Sequence, residues 1–283
     1  MTAARELVEL LDLETLDTNL FRGRQPDTDR QRVFGGQVAA QALVAGIRTV
    51  DAAYVPHSLH SYFLRPGDTS VPIVYDVEAL RDGRSFATRR VVARQHGRPI
   101  YFQTANFQRV EEGLEHQDVM PTVIPPEEGL DIVDLMRRAG NDEADALAKE
   151  WASLEARYVG NSQQGLDEDP ARPSRARMWI RVQEELGDDQ QLHLAAFTYA
   201  SDMSLLGATL AAHDRRPPEV MMASLDHAIW FHRPFRADEW WLYDQHSPSA
   251  QGARGLAFAE VYTRDGTLVA SVAQEGLIRL RTR

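Results

Sequence analysis

Phe63-Leu64-Arg65-Pro66 and Phe231-His232-Arg233-Pro234 are two copies of one landmark, and they frame the whole chain. Each is followed by strand-like runs joined at a Gly turn, His96-Gly97 in the first half and Asp265-Gly266 in the second. Each is preceded by a run of small and apolar residues, Gly35 to Val50 and Met203 to His213, long enough for one helix. Sliding the second half back by its own period lays it on the first, so each half reads as a helix followed by strands. On the landmark offset Pro56 stands opposite Ser224 and Asp202 falls opposite Phe34-Gly35-Gly36, and on the offset of the two Gly turns, one residue longer, Ala105 stands opposite Gln274. A repeat that keeps its framework but changes single polar residues marks those residues as something other than framework. Only the second half carries Asp202, Ser224 and Gln274.

Working outward, the first half becomes period-two from His57 onward and stops at Pro66-Gly67, a strand ending in a turn. Val71 to Leu80, Arg84 to Gln95 and Pro99 to Gln108 follow as strands, with Asp82-Gly83 and His96-Gly97 as hairpin turns where Gly supplies positive φ. Val38, Ala39, Ala40, Ala42, Val44, Ala45 and Ile47 leave the preceding helix almost no polar face, so other structure must enclose it. Upstream, leucines at helical spacing within Met1 to Leu16 predict a short amphipathic helix capping a sheet end, and Phe21 to Gln25 reads as a strand. In the second half Met178 to Gln183 is a strand and Gln190 to Ser201 a helix, and Asp202 begins or interrupts the next helical run. Ser224 to Phe235, Trp240 to Ser247, Ala253 to Thr263 and Thr267 to Arg279 supply the remaining strands. Between the halves, prolines bracket an acidic stretch with one or two surface helices, read as a tether. The expected division is therefore a first repeat over 1–120, a connector over 121–176 and a second repeat over 177–283.

Composition narrows the function. A chain of 283 residues, 43% hydrophobic, buries a large core. Its net charge of -11 argues against a nucleic-acid partner, since phosphate binding draws on clustered Lys and Arg. Local basic runs such as Arg81-Asp82-Gly83-Arg84 and Arg89-Arg90 read either as a solvated strand face or as a contact for a small phosphate-bearing ligand. With no cysteine, thiolate metal sites and a Cys nucleophile are excluded, and a reducing compartment fits. The charged N-terminus is no signal peptide, and no apolar run approaches the ~20 residues of a membrane span. The expected location is the cytoplasm.

Motif searching removes more. There is no Gly-x-Ser-x-Gly elbow, no phosphate loop and no dinucleotide fingerprint. His57 and His60, like His227 and His232, are an odd number of residues apart and point to opposite faces of a strand, which disfavours a metal site. Asp202, Ser224 and Gln274 remain. Asp202 reads either as an N-cap or as a carboxylate held ionised by a helix start. Gln274, inside an apolar strand, reads either as a core amide bonded to backbone or as a functional one. Together, a carboxylate that accepts a proton from water, a hydroxyl that fixes it and an amide that holds the same water suit hydrolysis of an activated ester without a covalent intermediate.

The segments Phe34-Gly35-Gly36-Gln37, His57 to Gly67, Tyr199-Ala200-Ser201-Asp202, Leu225 to Phe235 and Ala270 to Gly276 resemble the type II acyl-CoA thioesterases, a double hotdog family, over nearly the whole chain apart from the connector. The resemblance implies an α+β fold in which two repeats, each a long antiparallel sheet wrapped round a central helix, form a pseudo-dimer. It also implies acyl-CoA as substrate, hydrolysed by a water that Asp202, Ser224 and Gln274 orient, with no metal and no cofactor. Ser224 stands where the family has Thr or Ser and keeps the hydroxyl. Two rivals share this frame. A hotdog enoyl-CoA hydratase would carry a His five residues after the Asp, where this chain has Gly207, and a non-catalytic acyl-CoA binding module would keep the pocket alone. One site per chain is expected, with the first half walling the acyl tunnel. The chain is expected to be a homo-oligomer, with small residues such as Gly46 permitting close packing.

Overall fold

The two strands that carry the landmarks lie side by side. Tyr54–Phe63 and Asp226–Phe231 pair antiparallel, with Asp226 opposite Tyr62 and Trp230 opposite Ser58. In this computed structural model, which describes residues 2–28, 30–213 and 219–281, that pairing is the seam of one 14-stranded sheet. The first half contributes α1 (Ala3–Leu11), β1 (Glu14–Asp17), β2 (Leu20–Gly23), α2 (Gly35–Ile47), β3 (Tyr54–Phe63), β4 (Ile73–Asp82), β5 (Phe86–Gln95) and β6 (Arg98–Arg109). The middle of the chain adds β7 (Leu130–Asp131), α3 (Ile132–Arg138), α4 (Ala144–Glu150) and β8 (Leu154–Asn161). The second half follows with β9 (Arg175–Val182), α5 (Gln190–Ser201), β10 (Val220–Ser224), β11 (Asp226–Phe231), β12 (Trp241–Gln251), β13 (Arg254–Thr263) and β14 (Leu268–Leu280).

Strand order across the sheet is β1-β2-β4-β5-β6-β3-β11-β14-β13-β12-β9-β8-β7, with β10 also on β14. Outward from the seam, β3-β6-β5-β4-β2 is mirrored by β11-β14-β13-β12-β9, which is the double hotdog that the resemblance implies. The registers give the same correspondence residue by residue. Pro56 stands opposite Phe107, two residues past Ala105, and Ser224 stands opposite Gly276, two residues past Gln274.

The helices follow a different offset from the strands. Met203 to His213 holds only a 3-10 segment, Leu205–Leu210, and the second central helix is α5, over the residues read as helical. Asp202 is thus the C-terminal cap of α5 and not the start of a helix. Both central helices are buried on nearly every side, as their composition requires, and they pack on each other. Their close approach depends on missing side chains, because a Cβ at Gly36 would collide with the Tyr199 carbonyl oxygen. Gly46 is no assembly contact; it lies inside, over Phe107 and Val91 of the first half's own sheet.

Two other elements depart from expectation. Ala4, Leu7 and Leu11 of α1 enter the main core, where the helix packs on α2 and α5 instead of capping a sheet end. The middle segment does form two short helices, but it is more than a tether. β8 pairs with β9 and extends the sheet, and Trp151, Leu154 and Ala156 are buried in the main core. Residues 110–125 then cross the outer face of the second half, where Met120 and Val123 cover Trp179, Leu242 and Tyr262 and the Trp179 indole donates to the Ile124 carbonyl at 2.8 Å.

The helix contact makes a paired prediction. Gly36→Ala forces two backbones apart and costs about 1–3 kcal/mol. Gly46→Ala adds a Cβ at 3.4 Å from the Phe107 ring, an ordinary contact, and gains up to about 1 kcal/mol of helix propensity. Thermal unfolding should move in opposite directions for the two variants.

Candidate active site

Asp202, Ser224 and Gln274 come from three elements, and the fold brings all three together. The end of α5 delivers Asp202, the end of β10 delivers Ser224, and the neighbouring β14 delivers Gln274. The Gln274 amide donates from Nε2 to Asp202 Oδ1 at 2.5 Å and to Ser224 Oγ at 3.0 Å, and Ser224 Oγ donates to the same carboxylate oxygen at 3.4 Å. With the amide placed this way, Gln274 Oε1 is buried and has no protein partner. Asp202 and Ser224 remain partly exposed, whereas Gln274 is buried.

The carboxylate environment differs from the sequence expectation in an instructive way. A helix C-terminus, with its unpaired carbonyls, is the wrong end to hold an anion. The right end belongs to the other half. The backbone N–H of Gly36, in the first turn of α2, bonds Asp202. Gly35 makes the approach possible, since a Cβ there would meet Asp202 Oδ2 and the Phe63 ring. Burial pushes the Asp202 carboxyl up to about 6, and the hydrogen bonds from Gln274, Ser224 and Gly36 hold it from rising further.

A cavity of about 460 Å³ opens from Asp202 and Ser224. Its walls include Met136, Trp151, Met178, Met203, Leu206 and Met222, an adaptable apolar lining. All of the lining lies between Ile132 and Gln245, in the middle segment and the second half. A second cavity of about 500 Å³ lies at the other side of the helix junction, lined by Phe34, Gln37, Tyr199, Glu150, Arg24 and Lys149 among others. In it, the Phe34 and Tyr199 rings meet edge to face at 5.0 Å. Burial pushes the Glu150 carboxyl up to about 7, an effect that Arg30 at 3.4 Å opposes and the Asp202 charge reinforces.

Sequence reading missed the Gly36 amide, because the landmark offset set Phe34-Gly35-Gly36 opposite Asp202 as counterparts, whereas they lie at opposite ends of the two corresponding helices and meet in space. It also missed Glu150, which nothing in the acidic run distinguished from its solvated neighbours. Among the described residues no cluster of His, Asp and Glu is arranged to hold a metal ion.

Comparison with known proteins adds an independent line. Residues 24–108 match the family model for the acyl-CoA thioesterase N-terminal domain, and residues 130–278 match that for the C-terminal domain. The chain is 40% identical over 284 residues to human acyl-coenzyme A thioesterase 8, covering 96% of this chain and 88% of the relative. It is 37% identical to acyl-CoA thioesterase 2 of Haemophilus influenzae over 280 residues, 96% of each. Among solved structures, the acyl-CoA thioesterase II TesB2 of Mycobacterium marinum superposes with a TM-score of 0.85 at 44% identity, covering 97% of this chain and 98% of that one. The chain belongs to the type II acyl-CoA thioesterases, double hotdog enzymes that hydrolyse acyl-CoA thioesters.

Proposed function

We propose that Asp202, Ser224 and Gln274 are the groups that hydrolyse the thioester, acting on one water at one site per chain. The supporting observation is the shared bond set: Gln274 Nε2 joins both other side chains while its Oε1 is left buried and unpaired in the protein. A water seated there gives one hydrogen to Asp202 and the other to Gln274 Oε1. As its oxygen bonds to the thioester carbonyl carbon, Asp202 takes the first proton. The C–S bond then breaks, and the departing thiolate receives that proton, giving free CoA and a fatty acid. Ser224 and Gln274 hold the carboxylate in one orientation through the hydrogen bonds they donate to it. A carboxyl near 6 is ionised at neutral pH and still basic enough to accept the proton, a better match than an ordinary Asp.

The Met-rich cavity that opens from Asp202 and Ser224 is our choice for the acyl chain, because it is apolar and ends on the reacting groups. The division into 1–120, 121–176 and 177–283 then assigns the middle part a wall of that cavity. For location we read the cytoplasm from the cysteine-free composition; among the described residues no helix is long and apolar enough to cross a membrane. For assembly, the outer face of the seam exposes Tyr62 and Trp230, with Tyr62 stacked on Phe102 and Trp230 against His60. Such an aromatic patch favours association of copies.

Four outcomes check these readings. Thiol release from acyl-CoA of several chain lengths should fall by about 10²- to 10⁴-fold in kcat for Asp202→Asn, with circular dichroism unchanged; full activity in that variant would remove Asp202 from the mechanism. Because the base form is required, kcat should decline as pH drops through about 6, where Asp202 becomes protonated. Ser224→Ala should lose about tenfold, the worth of one ordinary hydrogen bond, whereas Ser224→Thr retains the hydroxyl and the rate. Light scattering should find wild type larger than one chain and Tyr62→Glu shifted toward the monomer.

A further inference from the structure

His227 is fully buried, and its surroundings connect it to both ends of the proposed catalytic set. On one side its Nε2 lies 2.9 Å from Ser201 Oγ, on the residue preceding Asp202. Ser201 Oγ donates in turn to the Thr198 carbonyl at 2.9 Å, one of the last carbonyls of α5, which have no partner within the helix. With that hydroxyl proton committed, Nε2 carries the imidazole hydrogen and donates to Ser201 Oγ. The Tyr243 hydroxyl donates to the Ser201 carbonyl at 2.8 Å, so the final residue of α5 is clamped at two atoms. On the other side, His227 precedes Ala228, which pairs with Ala273, the residue before Gln274. The ladder therefore sets His227 beside Gln274.

The mirrored half shows that the framework does not require this histidine. Outward from the seam, His227 beside Gln274 corresponds to Leu59 opposite Ala105, a wholly buried apolar pair. Both members are polar in the half that carries Asp202 and apolar in the half that does not. A buried imidazole with an unpaired Nδ1 costs stability that a leucine would not. Burial lowers His227 to about 4, so it is neutral at working pH and acts by its hydrogen bond, not by charge.

We propose that His227 is a positioning residue for thioester hydrolysis: through Ser201 it fixes the end of α5, and with it the Asp202 carboxylate, against Gln274. The inference rests on the catalytic roles proposed for Asp202 and Gln274. Small misplacements of a reacting group are costly in rate but leave substrate binding intact. In a thiol-release assay on the full chain, His227→Leu should lower kcat by about 10- to 100-fold with little change in KM, although leucine is what the mirrored position holds. His227→Gln, whose amide can donate from the place of Nε2, should recover most of that loss. Ser201→Ala, which removes a single oxygen, should reproduce it, and the double variant Ser201→Ala/His227→Leu should be no worse than His227→Leu alone, as expected of two groups acting through one bond. Folded His227→Leu and Ser201→Ala with wild-type kcat would overturn the proposal, as would His227→Gln being no better than His227→Leu. If His227→Leu fails to fold, Ser201→Ala decides. Full activity in Asp202→Asn would instead overturn the catalytic roles on which the inference rests, so the two failures are distinguishable.

Discussion

One carboxylate sits where two helices meet. At the end of α5, burial pushes Asp202 toward its neutral form; at the start of α2, the Gly36 N–H pulls it back. Neither half alone could produce the balance. It requires that the two helices belong to different repeats, that they pack on each other with the start of α2 against the end of α5, and that nothing larger than hydrogen stands at Gly35 and Gly36. The alanine-rich face of α2 and the wholly buried α5 follow from the same demand, since helices that come this close must be enclosed. The seam between β3 and β11 fixes the distance between the repeats and therefore the meeting point.

Strands were largely legible in the sequence, because a period of two and a Gly turn are local signals. Both hairpin turns, the seam landmarks and the places of Ser224 and Gln274 could be read from them. The helices were legible as segments, with α5 read over the residues it occupies, but their correspondence was not. A repeat offset counts residues, and an insertion between helix and strand leaves the strands aligned while shifting the helix. Asp202 was consequently given the right chemistry at the wrong helix end. β8 and α1 were misjudged for another reason. Their residues look like amphipathic surface elements, and only the presence of a neighbouring sheet edge or helix pair decides what covers them.

The division of labour between the halves also differs from simple duplication. Structure from the middle of the chain, α3 and the residues around Trp151, closes the apolar cavity, so a segment outside both repeats shapes the space next to Asp202. The first repeat contributes no side chain to that lining, yet it supplies the backbone hydrogen bond on the carboxylate. A fused pair can do this because a change in one repeat is not copied into the other, as it would be in a true homodimer.

The crossing of residues 110–125 over β9, β12 and β13 gives the molecule a front and a back. Two bare sheet faces would let copies add at either side without limit, as filaments do when head-to-tail contacts fail to close. Covering the second half's outer face leaves the seam as the open aromatic surface. Residues 110–125 are thus a cover for that face as well as a link out of the first repeat.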